Sequence, residues 1–340
     1  MAKQTLAVKY RPKSFDDVVE QQAIKDILTD QIKTGTFQHS YLFCGPAGCG
    51  KTTAARIFAN DINGGKGNPI EVDAASNNGV DNVREIIDGA RRKSLDSDYK
   101  VYIIDECHML STGAWNAMLK LLEEPPKTTV FIMCTTDPQK IPATILSRVQ
   151  RYNFSKISLT NIVNRLKFII DAEADELYTY TEAAVQYIAK LADGGMRDAI
   201  TMMDKCLSLS SDLTIESVVQ ALGTVDYNTH FDLLFKLETG VKDSAVKLIE
   251  DVYNSGKDLK QFIKQFQYFV LDVCKYKMFN DFKYVSIPAL EEYKGKLEDE
   301  DLELALGVLE WVRQLNSDIK WEANPKAIAQ TAVILYNPEV

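Results

Sequence analysis

The sequence predicts an α/β domain with a parallel sheet, followed by a small helical domain and a larger helical array. Strand-like and helix-like segments alternate up to about residue 158, as in parallel sheets covered by helices on both faces. From Leu159 onward strand signals nearly cease and apolar residues recur with helical spacing. A glycine-rich loop also separates the first strand from its helix. We therefore place three domains at residues 1–158, 159–223 and 224–340.

The first domain begins with an entry segment from Lys9 to about Gln31, in which Pro12 keeps residues 9–13 extended. A helix is expected from Asp16 onward. Strand–loop–helix units follow, then one more strand, at 41–59, 70–90, 101–122 and 129–134. The second domain has helical segments at 161–174, 181–191, 196–207 and 215–222. The third has them at 231–238, 243–253, 259–279, 302–319 and 326–334.

Residues 45–52 read GPAGCGKT and fit the pattern G-x-x-x-x-G-K-[ST]. The apolar run YLFC precedes them and good helix formers follow, so the loop joins a buried strand to a helix N-terminus. Backbone N–H groups in such a loop bind phosphate. Lys51 would reach the β- and γ-phosphates and the Thr52 hydroxyl would hold Mg²⁺. The nucleoside triphosphate contacts are expected from Gly45, Pro46, Ala47, Gly48, Cys49, Gly50, Lys51, Thr52 and Thr53.

A second motif, at residues 100–106, is a strand-forming run that ends in two carboxylates. Parallel strands bring their carboxyl ends to one crevice, so Asp105 is expected beside the Mg²⁺ of the phosphate loop. Glu106 would then orient and deprotonate an attacking water. The pair of motifs predicts hydrolysis of the bound triphosphate rather than binding alone.

Composition excludes several classes of protein. No apolar run approaches the length of a membrane span and the N-terminus lacks a signal-peptide pattern, so we expect a cytoplasmic protein without a membrane partner. The six cysteines are scattered and none forms C-x-x-C, which argues against a disulfide framework or a zinc site. Cys49 is expected to be accessible to alkylation.

Charge is unevenly distributed around a net value of −9. Residues 1–155 carry 19 basic and 18 acidic side chains, whereas residues 156–340 carry 20 and 30. A polyanionic partner would therefore meet the N-terminal half, through local patches. The acidic half is expected to serve as a helical assembly region.

Several motifs occur in the order that they have in one family. They are KYRP at 9–12, DAAS at 73–76, DECH at 105–108, LLEEPP at 121–126, TTDPQKIP at 135–142, ILSR at 145–148, GGMRDA at 194–199 and LGTVD at 222–226. With the phosphate loop, they resemble the gamma/tau subunits of the bacterial DNA polymerase III clamp loader, which are AAA+ ATPases. Matching motifs occur throughout the chain up to residue 226. Beyond that residue, the resemblance consists only of a helical pattern.

The resemblance implies an AAA+ domain, a helical lid and a helical collar. It implies ATP and Mg²⁺ as cofactors, and ATP hydrolysis coupled to opening a sliding clamp and placing it on primer–template DNA during replication. The implied partners are the clamp, that DNA and other loader subunits, either copies of this chain or delta-like subunits. The implied setting is the cytoplasm of a bacterial or phage-infected cell.

Individual roles are also implied by the resemblance. Arg148 is similar to an arginine finger offered to the ATP of a neighbouring subunit, and Thr135 or Thr136 to the sensor of the γ-phosphate. Arg197 resembles a second sensor that reaches over the triphosphate. The residues similar to those covering the adenine are Tyr10, Arg11 and Pro12. DNA contacts to the backbone of the duplex are expected from Asn77, Arg84, Arg91, Arg92, Lys93, Ser111 and Asn116.

The chain departs from the family pattern in three places. The family carries a four-cysteine zinc module after the phosphate-loop helix, but residues 60–69 are short and contain no cysteine, so no zinc is expected. Val149 stands where the finger motif usually has cysteine. The long tail of the tau form is also expected to be missing.

Two other functions compete with clamp loading. A different AAA+ machine, such as a branch-migration helicase or protein remodeller, would commonly carry pore loops or a winged-helix module, whereas helical segments follow residue 224. A scaffold that binds nucleotide without turnover would tolerate loss of Lys51, Thr52, Asp105 and Glu106, all of which are present.

Overall fold

The structure is a computed structural model that describes residues 4–94, 96–173, 178–222, 227–285, 287–320 and 322–338. Its described residues form two compact units, one from 1–169 and 192–201, the other from 170–191 and 202–340. The three-domain division remains a prediction. Its boundary at 223 and residues 223–226 of the LGTVD motif lie outside the described residues.

The first unit contains a five-stranded parallel sheet, which confirms the predicted α/β class. Its strands are β1 (Ser40–Cys44), β2 (Ile70–Asp73), β3 (Lys100–Asp105), β4 (Thr129–Thr135) and β5 (Gln150–Asn153), in the order β2-β3-β4-β1-β5. Strand β5 was not expected from the sequence. Only Tyr152 of its four residues is buried, as suits a short polar strand at a sheet edge.

Seven helices accompany this sheet in the described part of the unit, and the last of them continues into the second unit. They are α1 (Leu6–Lys9), α2 (Gln22–Thr34), α3 (Lys51–Ile62), α4 (Val80–Ala90), α5 (Thr112–Glu123), α6 (Ala143–Leu146) and α7 (Leu159–Glu173). The helix expected from Asp16 begins later, because only a 3₁₀ turn, Phe15–Asp17, forms there. Glu20 and Gln21, both in the left-handed region at φ 57°, then precede α2.

The central strands β1, β3 and β4 bury side chains on both faces, as expected for a covered parallel sheet. Tyr41 and Phe43 of β1 pack on one face with Phe58 of α3. Leu42, between them, points to the opposite face and packs with residues of β3, β4 and α5. These two cores fix the carboxyl ends of β1, β3 and β4 at one edge.

Asn63 closes the short connection where the family would carry its zinc module. Its buried amide donates to the carbonyl oxygens of Ala59 at 3.2 Å and Tyr99 at 3.0 Å. The N–H of Tyr99 donates to Asn63 Oδ1 at 2.8 Å. One side chain therefore joins the end of α3 to the start of β3.

We expect Asn63→Ala to lower the free energy of unfolding by about 1–3 kcal/mol, because it leaves backbone groups of Tyr99 without these partners. Urea denaturation followed by circular dichroism measures the change. Asn60→Ala, at an exposed position in the last turn of α3, is the matched control. Equal losses for the two variants would contradict a role for Asn63 in closing the connection.

The second unit is mainly helical over its described residues. It contains α8 (Glu182–Leu191), α10 (Ile215–Leu222), α11 (Tyr227–Glu238), α12 (Lys242–Asn254), α13 (Leu259–Phe279), α14 (Lys294–Asp299), α15 (Leu302–Ile319) and α16 (Pro325–Leu335). Helix α9 (Met196–Leu209) begins in the first unit and ends in the second. Short strands β6 (Thr179–Tyr180) and β7 (Asp212–Leu213) pair in parallel. The sequence did not predict these strands or α14.

A pair of carboxyl groups is half-buried in this unit. Glu238 ends α11, Glu300 follows α14, and a hydrogen bond joins their side chains. Burial is the main cause that raises the pKa of both carboxyls above the ordinary value near 4.5. Glu238 Oε1 is buried and has no hydrogen-bond partner among the described residues. Burial therefore favours the neutral form of these carboxyls over the ionised form that solvated carboxyls take near pH 7.

The raised pKa of this pair predicts a pH-dependent stability. A folded-state pKa above the unfolded value contributes stability that is fully present below the unfolded pKa and is lost as pH rises toward the folded one. We expect Glu238→Gln to raise the melting temperature at pH 8 but change it little at pH 5. Scanning calorimetry at both pH values measures this, with Glu250→Gln, a partly exposed glutamate of α12, as the comparison. Equal shifts at the two pH values would contradict a raised pKa of Glu238 in the folded chain.

No helix within the described residues is long and apolar enough to cross a membrane.

Candidate nucleotide site

The phosphate loop leaves β1 at its carboxyl end and turns sharply into α3. The Gly45 N–H donates to the Thr135 carbonyl oxygen at 3.1 Å, which ties the loop to β4. Gly50, with φ 102°, precedes the first residue of α3. A Cβ on Gly48 would lie 2.9 Å from Gly195 Cα. Glycine is required here because the loop has positive φ and a close backbone neighbour.

The side chain of Lys51 folds back onto this loop. Its Nζ donates to the carbonyl oxygens of Gly45 at 2.9 Å and Pro46 at 2.8 Å, and the residue is only 6% exposed. The ammonium group therefore lies inside the ring of loop backbone, where a bound phosphate would compete with these carbonyls for it.

Thr52 and Asp105 meet at the carboxyl edge of the sheet. The Thr52 hydroxyl donates to Asp105 Oδ2 at 2.8 Å, and Asp105 Oδ1 accepts from the Glu106 N–H at 3.0 Å. Hydroxyl and carboxylate oxygens are the hard ligands that Mg²⁺ prefers, usually alongside phosphate oxygens and water. The Thr52–Asp105 pair therefore fits a nucleotide-bound Mg²⁺. Over the described residues, this site included, no group of three or more His, Cys, Asp or Glu side chains could hold a metal without other ligands.

Glu106 lies just beyond β3, with φ 46°, and its carboxylate is held from two sides. Its Oε2 accepts from the Thr136 hydroxyl at 2.9 Å and lies 3.3 Å from His108 Nδ1. Thr135 is buried and its hydroxyl contacts the same imidazole nitrogen at 3.1 Å. Only Thr136, of the two candidate sensors, thus touches Glu106 directly; which of them senses the γ-phosphate stays a prediction.

A single pocket runs from the phosphate loop toward the N-terminal segment. It is lined by Tyr10, Arg11 and Pro12, by Gly48 to Thr53 and by Arg197. The structure thus brings three separately predicted parts of the sequence to one cleft. Gly45, Pro46 and Ala47 belong to the same loop but do not line the pocket.

Arg197 is exposed at the start of α9. The Met196 N–H donates to the Gly48 carbonyl oxygen at 3.1 Å, which fastens this helix start to the phosphate loop. Arg197 thus lines the pocket beside the phosphate loop, and its role as a second sensor stays a prediction.

Other residues of the pocket were missed at the level of sequence. They are Ala7, Val18, Val19, Ile157, Arg165, Met196 and Ile200. In sequence, these residue types look like ordinary core and surface positions. Only Met196 and Ile200 could have been predicted, because they lie close to Arg197 on one helix.

Cys49 is buried, which makes the expectation of easy alkylation wrong. It is 1% exposed, and burial raises the pKa of its thiol. The side chain packs into the core beneath the loop, so the thiol is neither open to solvent nor readily ionised.

Arg148 does not line this pocket. It follows α6, and its Nε and Nη2 donate to Glu123 Oε1 at 2.9 and 2.6 Å. Its Nη1 donates to the Thr144 carbonyl oxygen at 2.5 Å. This partly exposed position is compatible with presentation to a neighbouring molecule.

The candidate DNA contacts are spread over two regions. Arg91, Arg92 and Lys93 are exposed just after α4, and the nearby Arg84 pairs with Asp81 at 2.9 Å. Ser111 caps α5 by accepting from the Ala114 N–H at 3.2 Å. Asn116 is exposed on that helix, and Asn77 donates to the Asp73 carbonyl oxygen at 3.0 Å. The DNA role of all these residues stays a prediction.

The sheet order, the phosphate loop and the acidic strand end define a P-loop nucleotide-binding protein of the AAA+ class. Structural neighbours agree: a RuvB Holliday junction branch migration motor of Thermotoga maritima aligns with a TM-score of 0.53 at 19% identity, covering 67% of this chain and 79% of that chain. At this identity the likeness shows the fold alone. The AAA+ fold implies the use of nucleotide and Mg²⁺.

Sequence comparisons are more specific. Residues 70–158 match the family model "DNA polymerase III, delta subunit", and residues 161–212 match "DNA polymerase III clamp loader subunit, ATPase lid domain". The chain is 36% identical to DNA polymerase III subunit tau of Bacillus subtilis, over 98% of this chain and 63% of that protein. It is 33% identical to the tau subunit of Escherichia coli, over 75% of this chain and 43% of that protein.

The chain is similar to the tau/gamma subunits of DNA polymerase III over most of its length. It spans less than two thirds of the length of these relatives.

Proposed function

We propose that this chain is an ATP-hydrolysing motor subunit of a loader that opens a sliding clamp and places it on primer–template DNA. The observation that carries the proposal is the contact between Thr52 and Asp105 at the mouth of the phosphate loop, with Glu106 beside it. Similarity to a tau subunit and the match of residues 161–212 to a clamp-loader ATPase lid domain support the same assignment.

Each residue of the site has a chemical task in this proposal. The loop N–H groups and Lys51 bind the phosphates, and Thr52 and Asp105 hold Mg²⁺, which offsets phosphate charge when bound. Glu106 accepts a proton from the attacking water. For this, its carboxylate must turn from the Thr136 hydroxyl, 2.9 Å away, toward the water.

Control of turnover would come from residues around the triphosphate. Arg197 would contact the phosphates from α9, and Thr135 or Thr136 would sense the γ-phosphate. Arg148 would complete the site of a neighbouring subunit. Adenine would lie against Tyr10, Arg11 and Pro12, at the end of the pocket away from the phosphate loop.

Partners and setting follow from the same proposal. The chain would assemble with other loader subunits, copies of itself or delta-like, through the helical region 224–340. It would bind the clamp, and it would contact DNA through the candidate residues of the first domain. The acidic charge of residues 156–340 would keep that half from the duplex. We place this work in the cytoplasm of a bacterial or phage-infected cell, without a zinc ion in the chain.

The test is the steady-state ATPase rate of the chain with cognate loader subunits, measured with and without clamp and primed DNA. Stimulation by clamp and primed DNA together is the expected result. A rate indifferent to both would contradict the proposal and favour another AAA+ machine. No turnover with all partners present would favour a nucleotide-binding scaffold.

A further inference from the structure

The N-terminal segment that lines the pocket has little structure of its own. Helix α1 is only four residues long, and Leu6 is its only buried residue. A helix this short is not stable in isolation. Tyr10, Arg11 and Pro12 must therefore be held against the pocket by contacts outside the segment.

Arg165 supplies such a contact from α7. Its Nη2 donates to the Tyr10 carbonyl oxygen at 3.0 Å, across 155 positions of sequence. Its guanidinium carbon also lies 5.0 Å from the centre of the Phe168 ring, within range of a cation–π interaction. Arg165 lines the pocket itself.

Phe168 completes the arrangement one helical turn further on. Its ring meets the Tyr10 ring edge-on, with 6.5 Å between centroids. Phe168 is 54% exposed, so its contact with Tyr10 lies at the surface and not in the core. One helix face thus binds both the backbone and the side chain of Tyr10.

We propose that Arg165 and Phe168 form a latch that holds the Tyr10–Pro12 segment over the base end of the nucleotide pocket. Arg165 is then a positioning residue for the base, acting through Tyr10. The loop from Gly48 to Thr53 takes the phosphates, which leaves the apolar lining residues Val18 and Val19 to contact the base. This inference rests on the proposed nucleotide site and concerns which residues set the affinity for the base.

The latch makes nucleotide binding and ordering of the N-terminal segment mutually dependent. Because coupling between two binding equilibria is reciprocal, a base in the pocket must also stabilise the segment against opening. Loss of the latch would weaken binding of a nucleotide but leave unchanged the binding of a phosphate chain without a base.

The experiment is isothermal titration of the full chain with ADP and, separately, with inorganic tripolyphosphate. We expect Arg165→Ala to weaken ADP binding about tenfold, as loss of one charge-assisted hydrogen bond would, with tripolyphosphate affinity unchanged. Phe168→Leu should also weaken ADP binding, but by less. Because Phe168 is exposed, this substitution should not disturb the core. Arg151→Ala, an exposed arginine outside the pocket, is the control and should bind both ligands normally.

Hydrogen exchange of residues 5–12 gives an independent readout. ADP should slow exchange there in the wild-type chain and fail to do so in Arg165→Ala. Wild-type ADP affinity in Arg165→Ala, or equal losses for ADP and tripolyphosphate, would overturn the latch. Lys51→Ala tests the nucleotide site separately from the latch. If this variant binds ADP and tripolyphosphate like the wild type, the proposed nucleotide site is wrong.

Discussion

Glu106→Gln is expected to lower the rate of ATP hydrolysis by about 10²–10⁴-fold, the usual contribution of a general base. Gln keeps the size of the side chain and can still accept from the Thr136 hydroxyl, which now lies 2.9 Å from Glu106 Oε2. It cannot take a proton from water. The substitution should therefore abolish most of the hydrolysis while nucleotide binding is retained.

Two measurements isolate this effect. Steady-state phosphate release with cognate subunits gives the rate, and titration with ADP should show an affinity within about twofold of the wild type. Glu124→Gln, at an exposed position after α5, is the matched control and should retain the full rate. Hydrolysis by Glu106→Gln at the wild-type rate would remove Glu106 from the reaction.

Arg148→Ala is expected to abolish most of the hydrolysis in the assembled loader, by about 10³–10⁵-fold, as removal of an arginine finger does. The same substitution should leave the slow rate of the isolated chain unchanged, because Arg148 does not line the pocket of its own subunit. The comparison between isolated and assembled protein thus shows whether the arginine acts on a neighbour.

The ion pair with Glu123 does not prevent this role. Both side chains are substantially exposed, 32% for Arg148 and 48% for Glu123, and exposed ion pairs are worth only about 0–1 kcal/mol. A γ-phosphate can therefore displace Glu123 from the guanidinium. Arg151→Ala, three positions along, is the control and should keep the assembled rate. Equal loss in isolated and assembled protein would show that Arg148 acts within its own chain.

The sequence was sufficient for the parts of the fold that carry strong local patterns. Residues 41–44 are uniformly apolar because β1 is buried on both faces, and the glycines of the phosphate loop follow from its positive φ angles. Asp105 could be placed beside Thr52 because parallel strands end at one edge. Strand β5, by contrast, is a short edge strand with one buried residue and gives no such pattern.

Tertiary contacts account for what the sequence did not predict in the site. Arg165 looks like a solvated residue of a helix until the fold brings Tyr10 to it, and Arg148 meets Glu123 only because α5 and α6 pack together. Val18 and Ile157 are indistinguishable from core residues in sequence. Cys49 was taken as exposed because it belongs to a loop, but its side chain points into the core.

The most direct measurement is transfer of labelled clamp to primed circular DNA by the chain with its cognate subunits, followed by gel filtration. The account predicts that clamp elutes with DNA only when ATP is present and that Lys51→Ala abolishes the transfer. Equal transfer of clamp to DNA without ATP would contradict an ATP-driven loader. So would equal transfer by a loader in which every copy of this chain carries Lys51→Ala.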